Sequence, residues 1–107
     1  MAAKQITTEQ FQEAIQGEKP VLVDFWAPWC VYCRRISAVY DKIAAEYAGR
    51  LTVVKVNIDE EARLAEQEGI DTIPTLRLYQ NGEALDSIVA PASKSQIDEF
   101  IRETLGE

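Results

Sequence analysis

Cys30 and Cys33 stand two residues apart and are the only cysteines of the chain, set in Trp29-Cys30-Val31-Tyr32-Cys33 directly after the apolar run Val21-Leu22-Val23-Asp24-Phe25-Trp26-Ala27. If the run is a strand and a helix begins near Cys30, the first sulfur meets the unpaired N–H groups and positive dipole end of that helix, which favour an anion. Cys30 is therefore the expected thiolate, and Cys33 is its partner one turn on. Helical neighbours three residues apart hold their Cβ atoms about 5–6 Å apart, and a disulfide wants about 3.5–4.5 Å, so a slightly relaxed first turn closes the ring. A dithiol that closes and reopens without rebuilding the fold suits reversible two-electron exchange. The competing readings are a pair of core thiols, a static disulfide or a metal site. A structural metal wants four ligands, and with no histidine and no second cysteine pair two chains would have to share it. Neither a metal nor a bound cofactor is expected.

Asp24 lies inside the apolar run, where an uncompensated carboxylate is costly. Buried there, it would carry a raised pKa and relay a proton for Cys33 through water. Lys55, in the run Leu51-Thr52-Val53-Val54-Lys55-Val56-Asn57, is its candidate charge partner. On an exposed strand face both would be ordinary surface charges. Trp26 reads equally well as a core aromatic, whereas Trp29, adjacent to the nucleophile, is expected on an exposed apolar contact surface. Arg34 and Arg35 read as solvated helix residues whose charge still favours a thiolate.

The elements that must position these groups follow from periodicity. Thr7 to Gln10 offers a capping box for a short first helix with Phe11, Ala14 and Ile15 on one face. Val21 to Ala27 is too continuously apolar for a half-exposed strand and predicts a central strand buried on both faces. From Cys30, Ile36, Val39, Tyr40, Ile43, Ala44 and Tyr47 recur at helical spacing up to Gly49. Leu51 to Asn57 predicts a second strand and Glu60 to Glu68 a polar helix, so strand, helix, strand implies a parallel crossover. Thr75 to Tyr79, Asn81-Gly82 and Glu83 to Val89 predict an antiparallel hairpin. A second capping box, Ser93 to Gln96, opens a last helix with Ile97, Phe100, Ile101 and Leu105 in its stripe. The fold class is α/β, a mixed central sheet with helices on both faces.

The 107 residues suit a single domain, 1–107, with 47% hydrophobic and 27% charged residues, a composition that supports a packed core. A formal net charge of −7 argues against general binding of nucleic acid or anionic membranes, both of which reward basic patches. No basic-then-apolar leader and no apolar stretch of bilayer length is present, so a cytoplasmic protein is the simplest expectation.

Trp26-Ala27-Pro28-Trp29-Cys30-x-x-Cys33, with Asp24 upstream, Val56-Asn57-Ile58-Asp59 in the middle and Ile73-Pro74-Thr75 later, resembles the thioredoxin family over nearly the whole chain. A C-x-x-C beside a βαβ pattern is by itself a weaker sign of the same kind. The resemblance implies a disulfide reductase working through a mixed disulfide on Cys30 that Cys33 resolves, with electrons from a thioredoxin reductase and disulfide-containing proteins as acceptors. It implies a cis peptide before Pro74 and a docking surface of Trp29, Ile73, Pro74 and Ala90, to which Val31 and Tyr32, between the cysteines, are added as substrate contacts. A monomer is expected. The chain departs from the family at three places. Val31-Tyr32 stands where Gly-Pro is usual, which leaves open an oxidase- or isomerase-like direction of electron flow. Ala38 replaces a helix-kinking proline, which predicts a straighter helix after Cys30. Ala90 replaces a glycine that lets a substrate backbone approach closely. A redox-inactive scaffold is the reading from a different functional class.

Overall fold

Val21–Trp26 forms β2 at the centre of a five-stranded sheet in a computed structural model that describes residues 2–107; Met1, the first residue of the expected 1–107 domain, lies outside the described residues. Val21 to Phe25 are buried, as a continuous apolar run between two layers of helices requires. On one side of β2 lies β3 (Thr52–Asn57), parallel to it, and beyond that β1 (Lys4–Gln5). On the other side β4 (Thr75–Gln80) and β5 (Glu83–Val89) run antiparallel, so the order is β1-β3-β2-β4-β5. The mixed sheet anticipated from sequence is present. β1 is an addition to it: two residues display no alternation, and their pairing with Val54 and Lys55 is a tertiary event. Asn81 and Gly82 turn the hairpin with φ of +53° and +81°, the left-handed pair that a tight type I′ turn demands.

Helices cover both faces. α1 (Thr8–Ala14) carries the full capping box, Thr7 accepting from the Gln10 N–H and the Gln10 side chain from the Thr7 N–H. With α4 (Ala62–Gln67) it closes a core of Phe11, Val23, Phe25, Val56, Leu64 and Tyr79 on one side of the sheet. α3 (Ser37–Glu46) and α5 (Lys94–Leu105) close the other core, built on Leu22, Tyr40, Ile43, Leu76, Ile97 and Ile101. α4 starts later than the expected Glu60 because the Asn57 side chain accepts from the Asp59 and Glu60 N–H groups, holding that segment in a turn. The second capping box is displaced by one residue: Ser93 accepts from the Gln96 N–H, but the Gln96 side chain accepts from Ala92.

The helix after Cys30 is a correction to the sequence reading. It is not continuous: α2 (Val31–Arg35) ends at Ile36, a turn residue whose φ of −87° and ψ of −1° lie at the edge of the right-handed helical region, before α3 begins. No proline is needed, because the two segments answer to different anchors. α2 is held at the sheet end by the dithiol and by a hydrogen bond from Tyr32 to Pro91, whereas α3 lies on the sheet face, where the buried Tyr40 hydroxyl sits 3.1 Å from the Leu22 carbonyl and 2.6 Å from that of Val54. Tyr40→Phe removes the single hydroxyl proton that these two strand carbonyls share and is expected to lower stability by about 1–3 kcal/mol. A fall in the urea midpoint at unchanged m-value measures it.

Candidate active site

Pro28 and Trp29 carry the chain off the end of β2, and Cys30 caps α2 from extended geometry, φ −83° and ψ 109°. Its Sγ accepts from the Cys33 N–H at 3.2 Å and its own N–H donates to Ala27 at 3.1 Å. The two cysteines are joined as a disulfide with Cα atoms 5.2 Å apart. Their surroundings differ: Cys33 is 3% exposed on the inner face of α2, while Cys30 is partly open at the tip. Arg34 donates to the Pro28 carbonyl at 3.1 Å, tying the loop to the helix it precedes, and Arg35 points to solvent.

Behind Cys33 lies a cleft of about 240 Å³, large enough for several waters, which Asp24, Cys33, Ser37, Tyr40 and Lys55 all line. Asp24 is 3% exposed, and its Oδ1 has no hydrogen-bond partner among the described residues. Burial raises its pKa from 3.8 to about 7, against the lowering influence of the Lys55 charge. Lys55 is the register partner of Asp24 on β3 and shares its face of the sheet. The two do not close an ion pair among the described residues; the Lys55 ammonium stands 4.7 Å over the Trp26 ring. Trp26 in turn donates from its indole to Gln5 on β1 at 3.1 Å.

The rim is partly apolar. Trp29 is 63% and Val31 56% exposed beside the disulfide. Ile73 is half-buried, and the Ile73–Pro74 peptide is cis. Pro74 itself is buried, so it shapes the rim from beneath and exposes little of its own ring. Ala90 is exposed with φ +46°, and its N–H donates to the Pro74 carbonyl at 2.9 Å. Tyr32 turns away from this surface: its ring packs against the α3–α5 core and its hydroxyl donates to Pro91 at 2.8 Å.

A family model described as Thioredoxin matches residues 2–103. The chain belongs to the thioredoxin family. It is similar to "Thioredoxin 1" of Nostoc sp., 44% identical over 105 residues that cover 97% of this chain and 98% of that one. Thioredoxin of Alicyclobacillus acidocaldarius is 40% identical over 97% of this chain and 99% of its own. The crystal structure of Malassezia sympodialis thioredoxin superposes with a TM-score of 0.87 at 33% identity, covering 97% and 94% of the two chains. With its closed Cys30–Cys33 pair, this thioredoxin family member is a thiol–disulfide oxidoreductase.

Three residues of this thioredoxin site were given no role in the sequence reading. Asp59 accepts the Trp29 indole N–H at 3.0 and 3.2 Å, fixing the ring at the rim. Asn57, through the turn it caps, puts Asp59 there. The signal was the Asn57-x-Asp59 spacing after a strand, which is the signature of such a side-chain-to-backbone turn. The third is Pro91, whose carbonyl holds Tyr32 and which no local pattern marks. No group of three or more histidine, cysteine, aspartate or glutamate side chains converges to hold a metal among the described residues.

Proposed function

We propose that the protein reduces disulfides of other proteins as a cytoplasmic monomer, with residues 1–107 as its one working domain. The Cys30 thiolate attacks one sulfur of the partner's disulfide; an S–S bond forms to Cys30 and the partner's other sulfur leaves as a thiolate that takes up a proton. Cys33 then gives its proton, through water in the cleft, to the Asp24 carboxylate and attacks Cys30 Sγ. The mixed disulfide breaks, the Cys30–Cys33 bond forms, and the partner departs with two thiols. Two electrons have moved, and a thioredoxin reductase restores them. Lys55, across from Asp24, tempers the carboxylate's charge. Trp29, Val31, Ile73, Pro74 and Ala90 form or shape the surface that receives the partner.

The unequal burial of the two sulfurs carries this reading: Cys30 faces the rim, and Cys33 faces the cleft that holds Asp24. Equilibration against glutathione followed by insulin-disulfide reduction tests it. A reducing potential with insulin turnover is expected, and an oxidising one without turnover would reject the direction.

Val31-Tyr32 favours a second, less reducing setting. Tyr32 occupies the second position of α2, where a backbone N–H has no intrahelical acceptor and is free to serve a Cys30 thiolate once the disulfide opens, beside the Cys33 N–H that the sulfur already accepts. A proline there has no N–H to offer. A charge-assisted hydrogen bond is worth about 1.5–3 kcal/mol, and about 1.4 kcal/mol corresponds to about 30 mV for two electrons. The extra donor stabilises the reduced form. Replacing Val31-Tyr32 by Gly-Pro is therefore expected to make the potential more negative, by about 30–60 mV at most. An unchanged or less negative value in the same glutathione titration would refute the assignment.

A further inference from the structure

We propose that Tyr32 is a positioning residue, its hydroxyl latching the Ala90–Pro91 corner of the rim to the helix that bears the dithiol, and so setting how tightly a polypeptide disulfide docks. The inference rests on the protein-disulfide reading above. The latch spans the chain from position 32 to position 91 with one 2.8 Å hydrogen bond. What it holds needs holding. Ala90 has φ +46°, a left-handed conformation that an L side chain disfavours because its Cβ crowds the backbone. Relaxation of that residue would swing the corner away from Pro74, to whose carbonyl the Ala90 N–H donates at 2.9 Å. Two bonds oppose the relaxation: this one, on the β4 side, and that of Tyr32, on the dithiol side.

Because Tyr32 lies between Cys30 and Cys33, the rim corner and the reacting sulfurs share one rigid frame. A polypeptide disulfide must meet both the sulfurs and the corner. A small disulfide meets little beyond the sulfurs. Loosening the latch should then raise the KM for polypeptides far more than it disturbs exchange itself, a division that general destabilisation would not produce.

The test uses the full chain, Tyr32→Phe, and dithiothreitol as the electron source. Hydrogen exchange of the Ala90 amide is expected to quicken about tenfold, equivalent to about 1.4 kcal/mol and on the scale of one hydrogen bond. KM for insulin should rise about five- to tenfold with kcat within about twofold, while kcat/KM for glutathione disulfide falls less than about twofold. Adding Ala90→Gly, which accepts positive φ without strain, should recover most of the insulin KM. Unaltered Ala90 exchange in Tyr32→Phe would overturn the latch. Equal losses with insulin and glutathione disulfide would overturn the positioning role and move Tyr32 to the sulfurs. A wild-type protein that reduced neither substrate would overturn the protein-disulfide reading instead, and the Ala90 exchange rate would still decide whether the latch exists.

Discussion

Cys30→Ser is expected to bring insulin reduction down to the uncatalysed background, whereas Cys33→Ser is expected to convert the protein into a trap that stays covalently bound to its partners. A serine hydroxyl does not ionise near neutral pH and supplies no sulfur to form the mixed disulfide, so the first step has no nucleophile. With Cys33 replaced, the attack from the exposed rim still proceeds. Release does not, because the group facing the Asp24 cleft no longer carries a thiolate. Non-reducing gels of each variant after exposure to oxidised protein disulfides measure the difference: adducts with Cys33→Ser, none with Cys30→Ser. Adducts in the opposite variant would exchange the two roles.

Asp24→Asn is expected to stabilise the fold at neutral and alkaline pH by an amount on the order of 4 kcal/mol, and by almost nothing at pH 3. The carboxyl is buried, and its pKa rises from 3.8 to about 7 on folding. The native state therefore keeps a proton that the unfolded chain releases, and stability falls as pH rises. The loss is absent below about pH 3.8, grows through the interval, and is complete above about pH 7. Three pKa units at 1.36 kcal/mol each set the scale of about 4 kcal/mol. Urea melts of wild type and variant at pH 3 and pH 8 read it directly. Under the proposed relay, the same substitution slows resolution of the mixed disulfide in stopped-flow measurements. A variant no more stable than wild type at pH 8 would mean that the native protein solvates this carboxylate.

The sequence made these positions legible to unequal degrees, and the reasons are physical. Val21 to Ala27 announced a buried central strand because two covered faces leave no polar alternation to interrupt. Thr7 and Gln10 marked a helix start through bonds between near neighbours. Cys30 and Cys33 identified themselves by spacing. What remained hidden depends on residues distant in the chain. The break at Ile36 arises from anchors on Pro91, Leu22 and Val54, and a search for a kinking proline at position 38 looks in the wrong place. The inward turn of Tyr32 has the same origin: adjacency to the cysteines suggested a substrate contact, but the carbonyl it satisfies is brought close only by the completed sheet. Lys55 was found as a neighbour of Asp24 from strand order, yet the pull of the Trp26 ring on its ammonium is a matter of side-chain direction.

β2 is flanked along its length by β3 in parallel and β4 in antiparallel pairing, with a helical layer above and below. The chain leaves this strand and reaches Cys30 within a few residues, so the proposed nucleophile is tethered to the most deeply buried strand of the sheet. A flexible partner segment approaching it meets a surface already in its working shape, and the ordering entropy of association falls on the partner alone. If the proposed reduction of protein disulfides holds, that places the choice among clients in their own local unfolding: a disulfide that is exposed, or held by a segment that frays readily, is available to this site, while one locked inside a stable core is shielded from it.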